Sequence, residues 1–182
     1  MKTLSKPVVE AIDKLTSTFI DDTHPAVRDV RLFVLDNHEM FSGYLDRILV
    51  DLLIAVLPIP EGADPKPFAA HIEKQVTRMS FYSKLELLKP SLAAYPELDI
   101  EALVCLNNLR NKFAHSSANV ANFTYKGEPL WQVSTIETLS QDVFDLGLSI
   151  DCYFYSINDT KKAAAREPIL MPRYIELAGW EK

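Results

Sequence analysis

The stretch that decides the fold class runs from Ile136 to Ile157 and reads IETLSQDVFDLGLSIDCYFYSI. Its apolar side chains recur in alternating steps of three and four residues, at Ile136, Leu139, Val143, Leu146, Ile150, Tyr153 and Ile157. This spacing places them along one side of an α-helix, in the a and d positions of three heptads. We therefore predict a long helix that packs within a bundle or against a second subunit.

A second stripe of the same kind begins near Ala26 and ends before Pro58. Its positions are Val27, Val30, Val34, His38, Phe41, Leu45, Ile48, Leu52 and Ala55, and His38 is predicted to be a core histidine. Amphipathic spacing predicts shorter helices over residues 8–19, 68–79, 81–88 and 100–115. Ser80 is predicted as the N-cap of the helix over 81–88, which Pro90 ends, and Asp99 as the N-cap of the helix over 100–115. The sequence of residues 123–133 indicates a small hairpin with its turn at Lys126-Gly127. Together these elements predict an all-α fold, a single helical-bundle domain of five or six helices over residues 1–158, followed by a C-terminal tail over 159–182.

Composition excludes several classes of protein. The chain has 182 residues, a net charge of −6, 48% hydrophobic residues and 5 Gly. That length and apolar content support a folded domain, the scarcity of Gly disfavours a Gly-rich phosphate loop, and the net acidity excludes a generally basic protein. No signal peptide or membrane-spanning run is predicted, so we expect a cytoplasmic protein without membrane contact. Cys105 and Cys152 are predicted to be buried apolar residues, and neither a cofactor nor a metal site is expected.

One short motif points to chemistry. The segment from Leu106 to His115 reads LNNLRNKFAH and contains Arg110, Asn111 and His115. Asn111 and His115 are four residues apart and share a helix face, and Arg110 has the reach to join them. Metal-free hydrolysis of RNA needs a base for the 2′-hydroxyl and a cation for the charge on phosphorus. His is suited to acid–base work, Arg offers a fork that matches phosphate oxygens, and Asn can orient either one.

At these residues the sequence resembles the HEPN superfamily. The hexapeptide RNKFAH, from Arg110 to His115, is similar to that superfamily's Arg-x4-6-His signature, in which a polar residue often follows Arg. The lead-in SFYSKLELL, from Ser80 to Leu88, followed by a Leu-rich helix, resembles the mannitol-operon-repressor-like branch. The resemblance covers about residues 41–117. The chain departs from some active members in having Ser117, and not Tyr, two residues after the His.

The resemblance implies a HEPN-like bundle that forms a homodimer with its two Arg…His motifs facing each other across a cleft. Many members are metal-independent endoribonucleases of toxin–antitoxin, defence or RNA-processing systems, which implies RNA as substrate and an antitoxin or regulatory protein as partner. The resemblance then implies that Arg110, Asn111 and His115 are the catalytic residues. Other members lack catalysis, and the mannitol-repressor-like branch is regulatory and acts in transcription, without a recognisable DNA-reading helix.

Alternatives without chemistry fit the same residues. Arg110 could pair with an acid of the long helix, Asp46 or Asp51, and a His near a helix C-terminus is favourable to the helix dipole without any reaction. In the catalytic interpretation the same acids orient Arg110 from behind.

The distribution of charge favours an RNA-binding role despite the net acidity. No Asp or Glu occurs from Ala102 to Gly127, 26 residues in which the chain average predicts three or four. This acid-free segment carries the motif together with Lys112 and Lys126. We therefore predict that Lys112 and Lys126 contact RNA.

Overall fold

The protein is described by a computed structural model that covers residues 4–15, 20–57, 64–92, 98–115 and 119–164, with side chains as far as residue 153. Within these ranges the chain forms six helices and one hairpin, in which β1 pairs antiparallel with β2. The prediction of an all-α helical bundle is confirmed. In chain order the elements are α1 (Lys6–Ile12), α2 (Pro25–Val56), α3 (Pro65–Val76), α4 (Phe81–Leu92), α5 (Ile100–His115), β1 (Thr124–Tyr125), β2 (Glu128–Pro129) and α6 (Val133–Ala164).

The chain divides into two compact units. Unit 1 comprises Met1–Phe41 and Asp99–Leu148, and unit 2 comprises Ser42–Leu98 and Ser149–Lys182. The long helices α2 and α6 therefore each contribute one part to unit 1 and the other to unit 2. Unit 1 contains α1, α5 and the hairpin, and with them the whole RNKFAH motif.

Unit 1 buries the apolar faces that the periodicity predicts. The stripe of α2 and the seam of α6 are fully buried there, and α5 adds a third apolar face. Burial of a large aliphatic or aromatic side chain contributes about 1.5–3 kcal/mol, so this core is the main source of stability of the unit. The buried positions are Val27, Val30, Val34, Phe41, Leu103, Leu106, Leu109, Phe113, Ile136, Leu139, Val143 and Leu146.

Unit 2 has its own apolar core and a largely buried ion pair. Apolar residues of α2, α3 and α4 and Ile150 of α6 form the core. The Lys84 ammonium, whose side chain is 4% exposed, pairs with Asp46 at 2.5 Å and donates to Ser42 Oγ at 3.3 Å. A buried Lys needs such partners because an unpaired ammonium in an apolar core is strongly unfavourable.

Some local predictions are wrong or incomplete. Helix α4 continues through Pro90 to Leu92. The position is tolerated because it is exposed and lies in the last turn, where few backbone bonds remain to be lost. Helix α6 continues to Ala164, so residues 159–164 of the predicted tail are helical, while 165–182 lie outside the described residues. Residues 16–19 of the predicted first helix also lie outside the described residues.

The two cysteines are more exposed than predicted. Cys105 is half-buried and Cys152 is exposed. Successive residues of an α-helix are about 100° apart, so Cys152 falls well away from the direction of Ile150 and Tyr153, which lie in the buried seam. Apolar neighbours in the sequence are therefore not sufficient to predict that these thiols are buried.

Candidate functional site

Helix α5 has a defined start and a core-facing side that together orient the motif. The Asp99 side chain accepts a hydrogen bond from the backbone N–H of Ala102 at 3.0 Å, which confirms the predicted N-cap. Leu106, Leu109 and Phe113 are buried. Because these three anchor one side of the helix, the residues on the other side of its last turns face solvent.

The three predicted catalytic residues lie on that outer side, at the C-terminal end of α5. Asn111 and His115 are exposed and lie one turn apart, and Arg110 is half-buried beside them. The Arg110 guanidinium donates from Nη1 to Asn111 Oδ1 at 3.1 Å. Among the described residues, none forms a hydrogen bond or ion pair with the His115 ring and no carboxylate pairs with Arg110. The end of α5 thus presents a guanidinium, a carboxamide and an imidazole to solvent.

Residues 119–132, here called the strap, follow the motif and pack against it. Phe113 of α5 meets Phe123 edge-to-face with ring centroids 5.1 Å apart, and Trp131 at 6.4 Å. The Trp131 indole donates to the Val120 carbonyl at 2.7 Å, so the two ends of the strap are tied together. The strap therefore holds α5 through Phe113, on the buried side of the helix and within the RNKFAH segment.

Lys112, one of the two lysines predicted to contact RNA, is exposed and bound to the strap. Its ammonium donates to Thr124 Oγ1 of β1 at 3.0 Å. The partner is a neutral hydroxyl, so the positive charge of Lys112 is not neutralised by this bond. Thr124 was not singled out from the sequence, because a single exposed Thr carries no signal of its own.

Lys126, the other predicted RNA contact, lies in the hairpin turn and is held by two carboxylates. Its ammonium is 2.9 Å from Asp99 Oδ2 and 2.9 Å from Asp142 Oδ2. Lys126 and Gly127 have φ angles of +48° and +86°, the left-handed values that a two-residue type I′ turn requires. The predicted hairpin is confirmed, and the ion pairs offset the strain of a non-Gly residue at Lys126.

The same cluster binds the Tyr125 hydroxyl, which donates to Asp142 Oδ2 at 2.9 Å. Burial of this hydroxyl and the adjacent Asp142 carboxylate raise the pKa of Tyr125. Burial works against the charge of Lys126, but its bonds to Asp142 and Asp99 prevail and raise the pKa of that ammonium. Burial also favours neutral Asp99, yet the Ala102 N–H and the Lys126 ammonium lower the pKa of the carboxyl overall. The shifts of Lys126 and Asp99 favour their charged forms, whereas the raised pKa of Tyr125 keeps its phenol protonated as a hydrogen-bond donor.

Asp46 and Asp51, the acids predicted to orient Arg110, belong to unit 2, while Arg110 belongs to unit 1. The described partner of Asp46 is Lys84. Both acids line an open cleft of about 510 Å³ beside Arg47 and Glu73. An orienting role for Asp46 and Asp51 toward Arg110 stays a prediction.

His38 is a core histidine, as predicted. It is 9% exposed, and its Nε2 bonds to Asn107 Oδ1 at 3.1 Å. Asn107 lies one turn before Asn111 on α5. The sequence indicates burial of His38 through its place in the α2 stripe, but nothing in it indicates the partner 69 residues away.

Within the described part of the chain, no helix has the length and apolar character needed to cross a membrane. In the same residues no group of three or more His, Cys, Asp and Glu side chains is arranged to hold a metal ion. Comparison of the chain with family models, curated proteins and solved structures finds no match.

Proposed function

We propose that this chain is a HEPN-like RNA-binding protein that cleaves RNA at the C-terminal end of α5 without a metal ion. The observation that carries the proposal is that Asn111 and His115 are exposed and Arg110 is half-buried beside them on one helix end. A purely structural motif would be better served by buried side chains with protein partners. Exposed side chains with unused hydrogen-bonding capacity are what a substrate needs.

In the proposed reaction His115 accepts the proton of a 2′-hydroxyl. The 2′-oxygen then bonds to the adjacent phosphorus, and the bond from phosphorus to the 5′-oxygen breaks. The leaving 5′-oxygen takes a proton from an imidazolium, which His115 of a second copy supplies in the proposed homodimer. The products are a 2′,3′-cyclic phosphate and a 5′-hydroxyl.

Arg110 is proposed to stabilise the charge that develops on the phosphoryl oxygens. A guanidinium has five N–H donors, and the bond to Asn111 uses one of them. The remaining donors match the paired oxygens of a phosphate. Asn111 holds the guanidinium at the helix surface, which fits the orienting role proposed for it.

Local charge supports RNA as the ligand. The acid-free segment from Ala102 to Gly127 includes the motif and most of the strap. The acids nearest to it in the cluster, Asp99 and Asp142, are both bound to Lys126. Lys112 bonds to the neutral hydroxyl of Thr124, so among the described residues its positive charge has no acidic partner. Phosphate contacts of this kind provide most of the affinity of proteins for nucleic acids.

A second candidate function is non-catalytic regulation of transcription through a protein partner, as in the mannitol-repressor-like branch. One observation favours it: Phe144 and Leu148 lie one turn apart on α6 and are 41% and 51% exposed. Contiguous exposed apolar surface marks sites of protein interaction, and these two side chains would form part of such a surface. In this alternative an antitoxin or regulatory protein binds α6, and the chain has no nuclease activity.

The test is an RNase assay with a mixed-sequence, fluorescently labelled RNA in the presence of EDTA. We expect the wild-type chain to cleave, and His115→Ala and Arg110→Ala to lose at least a hundredfold in rate. His71→Ala is a matched control, because His71 is also an exposed helical histidine but lies on α3 in unit 2. Equal cleavage by wild type and His115→Ala, or no cleavage by either, would refute the catalytic proposal.

A further inference from the structure

Thr124 of β1 is the one described residue outside α5 that contacts a polar side chain of the RNKFAH motif through a hydrogen bond. We propose that Thr124 is a positioning residue that fixes Lys112 as a phosphate-binding cation, so that RNA lies across both α5 and the strap. This inference rests on the proposed function and adds to it a second element of the binding surface.

The hairpin is held firmly enough to position a side chain. Tyr125 is bound to Asp142, and Lys126 is bound to both Asp142 and Asp99. Asp99 is also the N-cap of α5. Thr124 therefore belongs to a turn that is fixed to the start of α5 and to α6, while its hydroxyl holds Lys112 near the end of α5.

Alternation along β1 gives its two residues different directions. Thr124 is exposed and Tyr125 is buried. Successive side chains of a strand point to opposite faces. Tyr125 thus points inward to Asp142 and Thr124 points outward to Lys112, so the anchoring contact and the positioning contact come from neighbouring residues.

Lys112 is better suited to bind a phosphate than Lys126. The Lys126 ammonium lies between two carboxylates, which neutralise its charge. The described bond of Lys112 is to a neutral hydroxyl, and an ammonium with three donors keeps two for a ligand. A Lys on its four-carbon stem normally loses much conformational freedom when it binds a phosphate. The bond to Thr124 removes part of that loss in advance, which favours binding.

The inference is tested by fluorescence anisotropy of a labelled, mixed-sequence 2′-O-methyl oligoribonucleotide, which retains the phosphates but cannot be cleaved through a 2′-hydroxyl. Thr124→Val keeps the shape of the side chain and removes the acceptor, and we expect about a three- to tenfold loss of affinity. Thr124→Ser keeps the hydroxyl and is expected to bind within about twofold of wild type. Thr138→Val, at an exposed Thr of α6, is the control and is expected to bind like wild type.

Lys112→Ala provides the readout that a general effect on folding would not produce. Lys112→Ala is expected to weaken binding at least as much as Thr124→Val, and Thr124→Val is expected to have no further effect in the Lys112→Ala background. An equal loss in both backgrounds would overturn the positioning role. So would Thr124→Ser binding as weakly as Thr124→Val.

The outcomes separate this inference from the proposed function. If the wild-type chain binds the oligonucleotide and Thr124→Val binds it equally well, the positioning role of Thr124 is refuted and RNA binding stands. If the wild-type chain shows no binding at 100 µM protein, about the weak limit of non-specific nucleic-acid binding, both are refuted.

Discussion

Replacement of Phe113 tests how the motif is held in place. Phe113 is 1% exposed and contacts two aromatic rings of the strap. Removal of a buried phenyl group by Phe113→Ala typically lowers the free energy of unfolding by about 3–5 kcal/mol. The two edge-to-face contacts, at about 0.5–1.5 kcal/mol each, account for about 1–3 kcal/mol of that sum. Phe113→Leu keeps most of the volume and is expected to lose mainly those contacts.

Guanidinium unfolding, followed by tryptophan fluorescence, measures these losses in unit 1. The chain has 2 Trp, so a Trp180→Phe background leaves Trp131, a member of the same aromatic cluster, as the reporter. The free energy of unfolding follows from the midpoint and slope of the transition. We expect Phe113→Ala to lower it by about 3–5 kcal/mol and Phe113→Leu by about 1–3 kcal/mol.

Phe144→Ala is the matched control for this experiment. It is the same substitution in unit 1, but Phe144 is 41% exposed. We expect a loss of less than about 1 kcal/mol. If Phe113→Ala lost less than about 1 kcal/mol, or no more than Phe144→Ala, the aromatic cluster would not be what fixes α5 to the strap.

Two further predictions concern the ion pairs. The pKa of Asp99 is lowered in the folded state, so its stabilising contribution is present above the unfolded-state pKa near 4 and is lost as pH falls through the lower folded-state value. Asp99→Asn keeps an N-cap but loses the pairing with Lys126. We expect it to lower the urea midpoint by an amount equivalent to about 0.5–1 kcal/mol at pH 7, and the difference to shrink as pH falls below the unfolded-state value. A difference that is constant from pH 3 to 7 would contradict this. Lys84→Met leaves Asp46 partly buried without its ammonium partner, and we expect it to lower the free energy of unfolding by about 3–5 kcal/mol. The double variant with Asp46→Leu is expected to recover most of this loss, as measured by thermal unfolding of the three proteins. A double variant no more stable than Lys84→Met would contradict this.

Local patterns predicted the elements that local physics determines. The seam of α6 and the stripe of α2 follow from burial at helical spacing, and their described members are buried except Ala55, which is half-buried. Asp99 and the Lys126-Gly127 turn were recognisable because caps and tight turns depend on a few adjacent residues. Residue type alone gave the wrong prediction at two positions. Pro90 does not end α4 because it lies in the last turn, and Cys152 is exposed because of its angular position on α6.

Long-range partners could not be predicted in the same way. Lys126 was expected to contact RNA because it lies in the acid-free segment, but its carboxylate partners lie 27 residues before it and 16 residues after it. The bond from Lys112 to Thr124 depends on the hairpin folding back along α5. Such pairs are set by the tertiary fold, so the partners of the predicted site residues could not be predicted from the sequence.

Single-turnover cleavage decides whether the end of α5 cleaves RNA through a 2′-hydroxyl, as we propose. Two labelled oligonucleotides of identical sequence, one RNA and one fully 2′-O-methylated, are incubated with excess protein and EDTA. We expect the wild-type chain to cleave only the RNA, to leave 2′,3′-cyclic phosphate ends, and to lose this activity in His115→Ala. Cleavage of both oligonucleotides, cleavage that is unchanged in His115→Ala, or an intact RNA with the wild-type chain would refute the proposed reaction.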